Sequence, residues 1–227
     1  MTQTYKLSPS TLSLYLECPR CFWLSKNRNI GRPRGIFPSL PGGMDRVIKT
    51  YYDECRRKGT LPEELKALAP RGVSLFRDQA RLDLWRNWKT GLAYRNPDRN
   101  VLFGAIDDLL VMDSSHIPFD YKTKGSPSSE ESAVKYYRHQ MDCYAFLLEA
   151  NGMKTTGFAF LLFYSPREAE DGGKVAFEVQ PIRIETDPAR AQKVFEDALV
   201  LLKADLPVSS SGCEYCTWLR HFKTPFK

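Results

Sequence analysis

At 227 residues, with 42% apolar and 26% charged side chains, the chain is long enough for one sizeable core and too short to force several domains. No apolar run approaches the roughly 20 residues of a membrane span, and the opening MTQTYKLSPS has no apolar signal-like core, which argues against a membrane or secreted protein and predicts a cytoplasmic one. A net charge of +6 favours polyanionic partners.

In chain order, Ser8-Pro9 reads as a helix cap with proline at the first helical position, and Leu12, Tyr15 and Leu16 recur at helical spacing up to Cys18. From Asn29 to Gly43 proline and glycine are too frequent for regular structure, and with Arg28, Arg32 and Arg34 the segment reads as a basic loop. Met44, Val47, Ile48, Tyr51 and Cys55 mark one face of a helix over 44–58, with Asp45 in its first turn. After a charged, proline-broken stretch, Leu75–Lys89 predicts a third helix bearing Phe76, Leu84, Trp85 and Trp88, stopped by Gly91.

Two apolar runs, Leu102–Met112 and Ile117–Tyr121, flank the polar Asp113-Ser114-Ser115-His116 and predict a β-hairpin. Asp120 and Lys122 are two apart and share a face of the second strand, while Tyr121 points the other way into the core. Asp107 on the first strand is their partner, with Asp108 as competitor because alternation alone does not choose between them. Carboxylates brought together across a hairpin repel, and a divalent cation with oxygen ligands resolves that repulsion. Such an ion binds a scissile phosphate and lowers the pKa of an attacking water, and a neighbouring lysine offsets the charge that builds on the phosphate.

Beyond the hairpin, Gly125–Ser132 has the composition of a mobile loop beside this site. Val134–Ala150 predicts a helix with Gln140 and Tyr144 on one face together with Tyr137. Gly157–Tyr164 fits a buried strand that pairs with Val175–Ile184, Pro181 placing the latter at a sheet edge. Asp187-Pro188 then caps a helix over 188–203.

Four of the six cysteines form two C-x-x-C pairs, Cys18/Cys21 and Cys213/Cys216, a thiolate set suited to tetrahedral Zn²⁺ or an iron–sulfur cluster. Either metal would tie residues 1–30 to 205–227 in a stapled subdomain of one 1–227 domain and couple site formation to folding. Cys55 and Cys143 fall on apolar helix faces and read as buried structural thiols. If the pairs meet, Arg28, Arg32 and Arg34 would join Arg220, His221 and Lys223 in a cationic patch that guides nucleic acid toward the hairpin.

The G-x-I-D of Gly104–Asp107, the D-Y-K-T of Asp120–Thr123, the Q-x-x-x-Y of Gln140–Tyr144 and the opening S-P-S-T-L-S-L-Y-L-E-C-P-R-C-F-W-L together resemble the PD-(D/E)XK nucleases. Their order is most similar to the RecB-like branch of helicase-associated nuclease domains and CRISPR-associated, iron–sulfur-containing exonucleases. The resemblance implies an α/β, restriction-endonuclease-like core with a mixed central sheet flanked by helices. It implies a Mg²⁺- or Mn²⁺-dependent deoxyribonuclease, an exonuclease on single-stranded DNA in repair, recombination or CRISPR-type processing, working with a helicase or CRISPR-type partner. By position it makes Asp107 and Asp120 metal ligands with the Tyr121 carbonyl, Lys122 the catalytic lysine, and Gln140 and Tyr144 the residues that line the site and orient the substrate phosphate or a metal-bound water. Asp45 stands where the family supplies a Glu or His ligand. The resemblance also favours a four-iron four-sulfur cluster over zinc, although relatives contribute one cysteine before the nuclease motifs and three after, where this chain has two and two. The alternative is an inactive nucleic-acid-binding or partner-docking module on the same fold, supported by the substituted Asp45.

Overall fold

In a computed structural model, which describes residues 3–33, 35–36 and 39–222, eight strands are divided between two sheets. The elements in order are β1 (Lys6–Leu7), α1 (Pro9–Glu17), α2 (Pro19–Asn27), α3 (Ser39–Lys58), a 3₁₀ segment (Glu63–Arg71), β2 (Ser74–Leu75), α4 (Gln79–Arg86), β3 (Leu92–Arg95) and β4 (Val101–Gly104). β5 (Asp108–Met112), β6 (Ser115–Thr123), α5 (Glu130–Ala150), β7 (Phe158–Glu170), β8 (Lys174–Glu185), α6 (Pro188–Lys203) and α7 (Glu214–Phe222) follow.

The larger sheet has the order β2-β5-β6-β7-β8, antiparallel throughout except for the parallel β6–β7 pair, which α5 connects. Alternation along β6 sends Ile117, Phe119 and Tyr121 to one face, where Ile48 and Tyr52 of α3 cover them. The other face lies under α5 and α6, whose Met141, Leu148, Phe195 and Leu199 pack with Leu161 and Phe163 of β7. α5 is pinned to α6 by the buried Asp142, which accepts from Arg190 Nε at 2.6 Å and from the backbone N–H of Asp187 at 2.8 Å. β8 sits at the sheet edge with Pro181 in it, where a missing N–H costs no ladder bond.

Helix starts follow the caps. Ser8 and Thr11 form a reciprocal capping box on α1, and Asp187 accepts from Ala189 and Arg190 at the start of α6. The hairpin closes through a two-residue turn in which Asp113 and Ser114 both have positive φ, 47° and 63°, the primed geometry that matches strand twist.

Several expected elements differ. The run Leu102–Met112 is not one strand. It breaks at Ala105-Ile106-Asp107, with β4 joining β1 and β3 in a separate three-stranded sheet and β5 joining β6. Close packing forces the corner, since a Cβ on Gly91 would lie 2.4 Å from the Gly104 carbonyl oxygen and a Cβ on Gly104 2.9 Å from Leu147. The segment read as loop to Gly43 is helical from Ser39, Pro41 being tolerated in the first turn where its missing N–H has no partner to lose. The third helix is shorter than expected because Asp78 caps it, accepting from the Arg81 N–H, and Ser74–Leu75 pairs with β5 instead. α5 starts at Glu130 rather than Val134, capped by Ser129, so half of the serine-rich loop is helix or cap. Among the described residues no helix is long and apolar enough to cross a membrane.

Candidate active site

Asp120 and Lys122 project from β6 into the apolar layer under α5, opposite Leu161 and Phe163 of β7. Asp120 is buried and ion-paired with Lys122. From α5, Gln140 accepts from Lys122 Nζ at 3.1 Å and donates to Asp120 Oδ1 at 3.4 Å and to the Tyr144 hydroxyl at 2.7 Å. The i, i+4 spacing of Gln140 and Tyr144 is what lets one helix deliver both groups.

Asp107 arrives from the corner between the sheets, one residue before β5, and not from the hairpin itself. Asp107 and its neighbour Asp108 make different contacts. Asp108 is fully buried, bound by Arg56 Nη2, by Arg86 Nη2 at 2.9 Å and by the Tyr121 hydroxyl at 2.5 Å. Asp107 instead meets Asp120, while Arg86 Nε holds the Asp107 backbone carbonyl at 2.7 Å. Asp108 is thus the anchor, and its neutralisation by two guanidinium groups fixes the direction in which Asp107 points.

Lys49 of α3 joins the same site. Its Nζ lies 2.8 Å from Asp107 Oδ1 and 2.9 Å from Asp45 one turn earlier on α3. The sequence reading missed Lys49, although its i, i+4 relation to Asp45 was visible there. Three carboxylates and two ammonium groups therefore meet where α3, the corner, β6 and α5 converge.

Titration follows from that crowding. Burial pushes the Asp120 carboxyl up to about 8, with the Asp107 charge adding to the rise and Lys122 opposing it. Burial also raises Asp107, but the Lys49 charge and the hydrogen bond shared with Asp120 outweigh it and hold Asp107 below its ordinary value. The two carboxyls titrate as a coupled pair, Asp120 being the one pushed up and Asp107 the one held down. Burial works against the charged form of Lys122, and the charge of Asp120 overcomes it, so its pKa is raised. Asp120 Oδ2 is buried and faces the Lys122 ammonium. An acidic oxygen set of this kind fits a hard divalent cation.

The sequence model of the family described as the PD-(D/E)XK nuclease superfamily matches residues 6–220. The chain belongs to that superfamily. Members are phosphodiester-cleaving nucleases that typically use divalent metals, in keeping with the oxygen-rich site. Among solved structures, the crystal structure of SSO0001 is similar at 12% identity and a TM-score of 0.42, over 97% of this chain and 87% of that one. Curated proteins give no match.

In this superfamily member the two cysteine pairs also come together. The Sγ atoms of Cys18, Cys21, Cys213 and Cys216 lie within 4.8 Å of one another, with Cys21–Cys213 and Cys21–Cys216 at 3.6 Å and Cys18–Cys216 at 3.9 Å. Cys18 ends α1 and Cys21 lies in the first turn of α2, begun by Pro19, while Cys216 lies in α7. Burial would raise the Cys18 thiol, but the backbone N–H groups of Cys21 and Ser210 bring it down to about 6. Burial pushes Cys216 up to about 12, with the neighbouring thiols adding to the rise. A cluster whose thiols cannot all ionise unaided is one that a cation completes.

Of the arginines expected to contact nucleic acid, Arg32 sits at this cluster. It contacts Cys213 Sγ at 3.4 Å and Glu17 at 2.6 Å, and its guanidinium lies 4.6 Å from the Tyr215 ring. Arg28 follows α2 with its guanidinium 5.8 Å from the Trp23 ring, and Arg34 and Lys223 lie outside the described residues. Cys143 is buried as expected, whereas Cys55 is only partly covered.

Proposed function

We propose that the chain is a Mg²⁺- or Mn²⁺-dependent deoxyribonuclease acting as an exonuclease on single-stranded DNA. The observation that carries this reading is the convergence of Asp107, Asp120, Lys122, Gln140 and Tyr144 in one hydrogen-bonded network on a chain of the nuclease superfamily. Asp107, Asp120, the Tyr121 carbonyl and Asp45 are the proposed ligands. A divalent cation supplies Lewis-acid polarisation of the phosphate and a more acidic water. Asp120 would hold the cation as a carboxylate, and Lys122, held between Asp120 and Gln140, would offset charge on the phosphate. Gln140 and Tyr144 orient the phosphate from the α5 side.

The test is cleavage of end-labelled linear single-stranded DNA in Mn²⁺, with a circular single strand as control and Lys122→Ala as comparison. Loss of linear cleavage in Lys122→Ala, with the circle spared, is the expected result. Equal activity in the variant would overturn the assignment of the site. One observation favours the inactive-module reading, namely that Lys49 already neutralises Asp45 and Asp107. That reading predicts salt-sensitive binding without turnover.

For the cysteine site, a tetrahedral ion with metal–sulfur bonds of about 2.3 Å has sulfur–sulfur edges of about 3.8 Å. Three of the six separations, at 3.6–3.9 Å, are close to that edge and all six are within 4.8 Å, a spread that supports one such ion, zinc, over the four-iron cluster, whose inorganic core would hold the thiols farther apart. Elemental analysis of anaerobically purified protein decides between them: zinc with no sulfide supports this reading, and a brown preparation rich in iron and sulfide refutes it.

A further inference from the structure

Beside the carboxylates, on the far side of Gln140 and Tyr144, a cleft of about 570 Å³ opens between the start of α1, the turn after α4, the end of β4 and α5. Two large rings stand in its wall with most of their surface in solvent, Trp88 at 69% exposure and Tyr136 at 66%. Among the described residues neither ring packs against another ring. Each has the ammonium of the adjacent lysine near its face instead, Lys89 at 5.3 Å from Trp88 and Lys135 at 5.4 Å from Tyr136. Phe103, deeper in the same cleft, carries Lys6 Nζ at 4.1 Å from its ring. Gln140 and Tyr144 also line it, Gln140 reaching Asp120 and Lys122 and donating to the Tyr144 hydroxyl.

We propose that this cleft is a binding site for the unpaired bases of a single-stranded nucleic acid, with Trp88 and Tyr136 as stacking platforms. Every base has a π-face, and an exposed ring flanked by cations receives it without regard to sequence while the cations meet the neighbouring phosphates. The interior of a duplex offers no free base face, since its bases already stack on each other, so the cleft selects single strands or unpaired ends. Continuity through Gln140 leads the strand from the aromatic wall to the carboxylates. The inference rests on the nuclease reading only for what then happens to the bound strand.

The experiment measures binding of a fluorescein-labelled oligothymidylate to the full chain by anisotropy, with no added divalent cation so that no strand is cut. Trp88→Ala and Tyr136→Ala should each weaken binding about tenfold, and the double variant about a hundredfold. Trp88→Phe should stay within about threefold because the ring is kept. Phe177→Ala, whose ring lines a separate groove beside Met44 and Tyr51, should bind as the unsubstituted chain does. Unlabelled single strand should displace the probe far better than a blunt duplex of the same length. The proposal is overturned if the double variant binds within about twofold of the unsubstituted chain, if Phe177→Ala loses as much, or if duplex competes equally. Ring-dependent binding without any Mn²⁺-supported cleavage leaves the cleft assigned and removes the nuclease reading. Cleavage with ring-independent binding does the reverse.

Discussion

Asp120 shows how one residue can be both legible and altered by its surroundings. Its place two residues before Lys122 follows from strand alternation, and the structure puts both on the face under α5. What the sequence did not carry is the proton. A carboxyl raised to about 8 binds its proton more tightly folded than unfolded, so the stability it contributes is full below about pH 4 and is lost as pH rises toward 8. In metal-free protein the melting-temperature difference between the native chain and Asp120→Asn should therefore fall steadily from pH 4 to pH 8. A flat difference would show that Asp120 is ionised across the range. Mn²⁺ should stabilise the native chain increasingly over that same interval, because the ligand must be deprotonated. The choice between Asp107 and Asp108 was not legible, since it depends on Arg56 and Arg86, which reach the corner from α3 and α4. Lys49 escaped for a similar reason, its partner Asp107 being 58 residues away.

At the scale of elements, Asp108 acts as a junction. Arg56 of α3 also binds Asp53 and the Phe76 carbonyl, Arg86 of α4 also binds Asp53 at 2.8 Å, and Tyr121 approaches from β6, so four elements meet on one carboxylate. Removing a buried charge partner leaves the others uncompensated, and Asp108→Ala should lower unfolding free energy by about 3–5 kcal/mol. Urea denaturation measures this, and a loss under about 1 kcal/mol would mean that Asp53 alone satisfies both arginines. The long elements were legible because their period or caps are strong: Asp187-Pro188 for α6, the apolar run for β7, the turn for the hairpin. The two-residue strands β1 and β2 were not, for two residues carry no period and their partners are distant in sequence. The break of Leu102–Met112 was equally hidden, because Gly104 as a packing residue looks like any glycine until Gly91 and Leu147 are seen against it.

At the scale of the whole molecule, the pairing of the C-x-x-C motifs was readable from spacing and chemistry, and the thiols do converge. Cys213→Ser should abolish retention of the metal proposed for the four thiols, measured by mass spectrometry, and expose α7 to protease while the amides of β5–β8 stay protected from hydrogen exchange. Equal metal retention by the variant would exclude Cys213 as a ligand. α7 depends on that site because Tyr215 and Leu219 are still largely exposed, leaving it little apolar burial of its own. The same arrangement has a consequence for biosynthesis. Cys21 leaves the ribosome 195 residues ahead of Cys216, an interval of roughly 10–40 s at about 5–20 residues per second. Throughout that time Cys18 and Cys21 exist as an incomplete dithiol, open to oxidation or to capture of another ion. Assembly of all four thiols therefore waits for Cys216, and the rate of translation sets how long the early thiols wait for their partners.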